Sequence, residues 1–126
     1  MESPTQTSDL QEQINTWKTE VNTVREDLQM MRERLAQLAF SKTNATIMAQ
    51  VEHFQNRFIR QAEVADEMYH DLKQSAKKIS ANGQLHVIHD DRPVDDYDTL
   101  QERMETFQKL FEELKTDFNH FIPACQ

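Results

Sequence analysis

The chain predicts an all-α fold: three long antiparallel helices packed up-down-up as a coiled-coil-like bundle, with one long loop between the second and third. Three observations carry that expectation. Apolar residues recur in alternating steps of three and four along three separate stretches, which keeps each set on one helix face. Only one Gly and three Pro occur in 126 residues, too few breakers for a fold built on strands and turns. A polar, turn-forming string, Phe40-Ser41-Lys42-Thr43-Asn44-Ala45-Thr46, separates the first two stretches.

The first stripe is Leu10, Ile14, Trp17, Val21, Val24, Leu28, Met31, Leu35 and Leu38. It is unbroken over about 43 Å at 1.5 Å per residue. Ser8 and Gln11 have capping-box spacing just ahead of it, so the first helix is expected over about residues 8–40. Residues 1–7 have no period and are expected to fray. Trp17 is too bulky for a tight two-stranded seam and suits a wider, mixed core.

Ile47 opens the second stripe nine residues after Leu38. At about 100° per residue, that step turns the apolar face to nearly the opposite side. A single helix of more than 70 residues would present conflicting faces to other chains and need an oligomer. A tight turn at 41–45 resolves the conflict, with Thr43 or Asn44 as the cap. The second helix is expected over about residues 46–81. Its stripe runs through Val51, Phe54, Phe58, Gln61, Ala65, Met68, Leu72, Ser75 and Ile79, and is more polar in its middle than at its ends. Met48, Ala62, Tyr69 and Ala76 fall beside that stripe and widen it, as in a helix that touches two neighbours. Lys77 and Lys78 suit the negative end of the helix dipole, and Asn82-Gly83 supplies a left-handed stop.

Residues 84–94 have no helical period and form a connection longer than bundle helices usually need. Asp95 or Asp96 caps the third helix, expected over about residues 96–121. Its stripe is Tyr97, Leu100, Met104, Phe107, Phe111, Leu114, Phe118 and Phe121, spanning about 36 Å, and Pro123 ends it. Residues 8–122 thus make one helical-bundle domain. Its aromatics argue against a leucine zipper, though a dimer of bundles or a core completed by a partner helix stays open.

A formal charge of −8, with no gathered basic run, argues against nucleic acid and anionic membrane as partners. No apolar run approaches a membrane span, and the first ten residues lack the pattern of a secretory signal, so a cytoplasmic setting is expected. Cys125 is the single cysteine and cannot form an internal disulfide.

Residues 69–76, Tyr-His-Asp-Leu-Lys-Gln-Ser-Ala, are the most suggestive string for chemistry. With Met68 and Leu72 facing the core, His70 is expected on the far, solvent side of its helix, nucleophilic when neutral, with Lys73 one turn on. The string resembles the H-x-x-K core of histidine phosphotransfer domains, which are small helical bundles. That resemblance implies His70 as phosphoacceptor, Lys73 supporting the phosphoryl group, and Asp71 or Asp66 orienting the ring. Those domains carry Gly one turn after the His, where this chain has Gln74, and are built on four helices rather than three.

Divalent metal is a third possibility, with His86, His89, Asp90 and Asp91 in the loop as donors. No nucleophile elbow, phosphate loop, dinucleotide fingerprint or paired-cysteine motif occurs. The preferred expectation is therefore a non-enzymatic scaffold without a cofactor, binding another protein or a second copy of itself through helix faces. Its candidate contacts are the off-stripe apolar residues Ile59, Val64, Phe40 and Leu110.

Overall fold

The computed structural model describes residues 7–41, 44–80 and 96–124. They form three helices and no strand: α1 (Thr7–Ser41), α2 (Ala45–Ser80) and α3 (Tyr97–Ala124). Of residues 1–7, expected to fray, Thr7 instead opens α1, while residues 1–6 and the stop at Asn82-Gly83 lie outside the described residues.

α1 ends at Ser41 and α2 begins at Ala45 running in the opposite direction, so the two are a hairpin and not one continuous helix. Asn44 is the cap. Its Oδ1 accepts the backbone N–H groups of Thr46 at 2.8 Å and Ile47 at 3.3 Å, while its own carbonyl accepts the first helical bond, from Met48. At α3 the cap is Asp96, whose Oδ1 accepts from the backbone of Thr99 at 2.8 Å and whose carbonyl accepts from Leu100. Hydrogen bonds from Thr99, its backbone N–H first and its side chain second, hold the Asp96 carboxyl below its ordinary value.

Contacts between helices fix their directions. Arg57 meets Asp117 at 3.0 Å and Arg103 meets Asp71 at 2.9 Å, so numbering falls along α3 as it rises along α2. Arg25 meets Asp66 at 3.0 Å and Lys18 lies over the Tyr69 ring, so α1 and α2 are antiparallel as well. Trp17 against Tyr97, with ring centroids 5.3 Å apart, and Gln108 donating to Glu20 make α1 and α3 parallel. The order is up-down-up.

Of the predicted stripe residues whose side chains are described, nearly all turn inward. Ile14, Val21, Leu28 and Leu35 from α1, Val51, Phe58, Met68 and Leu72 from α2, and Leu100 through Phe121 from α3 enclose one core. Toward the hairpin end that core is aromatic. Phe58 meets Phe118 edge-on at 5.1 Å, and Phe54 meets Phe118 edge-on at 5.6 Å and Phe121 at 4.9 Å. The backbones of α1 and α2 run closest together, while α3, which supplies four of the core Phe side chains, stands farther off.

Two polar groups share the interior. Gln61 donates from its Nε2 to the carbonyl of Phe107 at 3.5 Å, while the buried Ser75 Oγ has no hydrogen-bond partner among the described residues.

Two expectations at the margins are corrected, and one buried residue lies outside the expected stripe. Pro123 does not end α3, which runs one residue further to Ala124 with the proline inside its last turn. The missing proline N–H costs most in a helix interior, and so close to a frayed end the break falls within the turn. Ile122 is buried although it stands off the stripe, because four residues after Phe118 it broadens the buried face of α3 at that end. Met48 is exposed and does not widen the α2 core face. Phe121 packs level with Phe54, so α3 stops before reaching the first turn of α2.

Candidate functional site in the groove between α2 and α3

The off-stripe apolar residues do not make one surface. Val64 and Leu110 come together, lining an open groove of about 440 Å³ between α2 and α3, floored by Met68 and Phe107. Both belong there by rotation, Val64 on the α3-facing flank of α2 and Leu110 on the α2-facing flank of α3. Leu110 is about half exposed, at 49%, whereas Val64 is half-buried against the core.

Ile59 is 46% exposed but stands roughly 140° around α2 from Val64, five residues away, and does not line the groove. Phe40, 94% exposed, sits at the end of α1 beside the hairpin turn and belongs to neither groove wall. Met30 on α1, 67% exposed, is a large apolar surface residue that the periodicity argument passed over. Its position off the α1 stripe was the available signal.

Charges around the α2–α3 groove are mixed. Arg103 contacts Asp71 at 2.9 Å and reaches Glu67 at 4.0 Å, tying the two helices together beside Met68. Arg60 pairs with Glu63 along its own helix at 3.4 Å, and Glu102 adds a carboxylate to the lining. Exposed pairs of this kind contribute at most about 1 kcal/mol each and serve mainly to set register. With both signs present, the groove selects by shape and apolar surface more than by charge.

His70 is not on an open solvent face. It is half-buried, one turn from Asp66, whose carboxylate reaches across to Arg25 of α1. Tyr69 there has Arg25 over its ring at 5.1 Å and Lys18 at 5.6 Å. Of the two carboxylates expected to orient the imidazole, Asp66 reaches to Arg25 and Asp71 turns the other way, to Arg103 on α3. Lys73 is exposed.

His86, His89, Asp90 and Asp91 lie outside the described residues. Among the described residues no group of three or more His, Cys, Asp or Glu side chains is placed to hold a metal ion. None of the described helices is long and apolar enough to cross a membrane.

No protein-family model, curated protein or solved structure matches the chain.

Proposed function

We propose that the protein is a non-enzymatic interaction module that receives a helix of another protein in the groove between α2 and α3. The single observation that carries this is the meeting of Leu110 and Val64 in that groove. A half-exposed leucine there sits above a floor of Met68 and Phe107, between two helices already tied by Arg103. A concave apolar strip between parallel ridges suits the apolar face of a helix, which would insert side chains at spacings of three and four. Self-association through the same strip is the alternative, opposed by the charge of −8 that each copy brings.

The test is a photo-crosslinking residue, benzoylphenylalanine, placed at position 110 in the full chain and irradiated in native extract. A discrete adduct that disappears when Val64→Lys is added supports the groove. A product unchanged by Val64→Lys, or found only when the crosslinker sits at position 40, removes it.

A further inference from the structure

We propose that the seam between α1 and α3 is a second docking site, taking one amphipathic helix of a partner protein that carries lysine or arginine beside its apolar face. This site is separate from the α2–α3 groove and does not depend on that groove being occupied.

The seam is open because α1 and α3 have the most widely separated backbones of the three helix pairs. It leaves a groove of about 450 Å³ with an apolar floor of Val24 and Phe111. Its α1 wall is unusual for a solvent-facing helix. Thr16, Thr19 and Thr23 each donate their hydroxyl back to the carbonyl four residues earlier, at 3.0 to 3.1 Å. With its one O–H turned back onto its own helix, each threonine offers a neighbour a methyl group and an acceptor oxygen but no donor. Seven residues beyond Thr23, the exposed Met30 continues the same strip.

Charge selects the occupant. Glu20, Asp27 and Glu112 rim the seam against one cation, Lys115. Glu20 accepts from Gln108 across the seam, while among the described residues no ion pair engages Asp27 or Glu112. A helix flanked by ammonium or guanidinium groups would complement these carboxylates. A second copy of this chain, at −8, would not. The α2–α3 groove, with both signs on its rim, offers no such preference.

Two synthetic peptides of about 18 residues, or five helical turns, test the assignment. They share a Leu/Ala face and differ in flanking residues, all Lys in one and all Glu in the other. Each is titrated into the isotopically labelled full chain and followed by amide chemical shifts. The expected result is that the Lys peptide moves residues 19–27 and 108–115, and that the Glu peptide binds at least tenfold more weakly. The double variant Asp27→Lys/Glu112→Lys should weaken the Lys peptide tenfold or more, and Asp27→Asn/Glu112→Gln should fall between. Should the charge-reversed variant fail to fold, the neutral variant and the comparison of the two peptides decide the matter. Equal binding of the two peptides, no shifts in the seam, or shifts confined to Val64, Leu110 and their neighbours would overturn the proposal. That last outcome would leave the α2–α3 groove standing.

Discussion

Phe58 is the side chain whose removal tests the packing most sharply. It is fully buried, and its ring packs edge-on against Phe118 at 5.1 Å and lies 6.1 Å from Phe54, so no solvent path relieves the loss. Replacing it by Ala removes a phenyl group from a close-packed site at about 3–5 kcal/mol, the transfer term plus the cavity left between α2 and α3. The upper half of that range is expected, since both aromatic neighbours are themselves buried, pack on each other, and Phe54 is backed in turn by Phe121. For a chain of 126 residues, a loss of about 4 kcal/mol lowers the melting temperature by roughly 15 °C. Urea unfolding followed by far-UV circular dichroism gives the number directly, and Phe40→Ala, at a 94% exposed position, is the control expected to stay within about 0.5 kcal/mol. A double cycle with Phe118→Ala should show coupling of about 1 kcal/mol between the two rings. A loss below about 1 kcal/mol at Phe58, or no coupling, would refute the claim that α3 is held to the hairpin by this aromatic cluster.

Other outcomes follow from single contacts. Ser75→Ala should raise stability by about 1 kcal/mol in the same urea assay, because it removes a buried hydroxyl that has no partner among the described residues; a loss of stability would mean that the hydroxyl is satisfied. Asn44→Ala should cost about 1 kcal/mol through the two amide bonds it gives up, whereas Asn44→Gly should cost only a few tenths. Asp96 has its folded value lowered below 3.8 by the Thr99 bonds, so its contribution to stability is complete above the unfolded value. It is lost as pH falls through the lowered folded value. Stability measured against pH should therefore lose part of its acid-side slope in Asp96→Asn, and an identical profile would exclude the cap as its source.

Much of the architecture was legible because helical packing leaves a periodic record. Steps of three and four marked every core face, and the rotation of that face between Leu38 and Ile47 forced a turn, for which Asn44 was one of two candidate caps. What periodicity could not convey was which flank of a helix meets which neighbour. Val64 and Ile59 are equally off-stripe in sequence, yet one lines the groove against α3 and the other stays exposed, a distinction set by three-dimensional packing. His70 shows the same limit: its place opposite the stripe predicts a solvent-facing side chain, and in the fold it is half-buried. Ile122 and Pro123 show the limit at helix ends, where one residue of register or one extra turn of cover changes burial. The Thr16, Thr19 and Thr23 strip was visible as spacing, but only the hydroxyl bonds to the backbone reveal that it offers methyl groups and acceptor oxygens without a donor.

The claim beneath both grooves is that the three stripes close on one another within a single chain, leaving helix faces free for a partner. Light scattering coupled to size-exclusion chromatography, from about 1 µM to about 1 mM, tests it most directly. A mass of 14.9 kDa, with any self-association confined to the highest concentrations and abolished by Leu110→Glu, is the predicted result. A dimer that persists at the lowest concentration and survives Leu110→Glu would contradict it, since the apolar stripes would then be shared between chains.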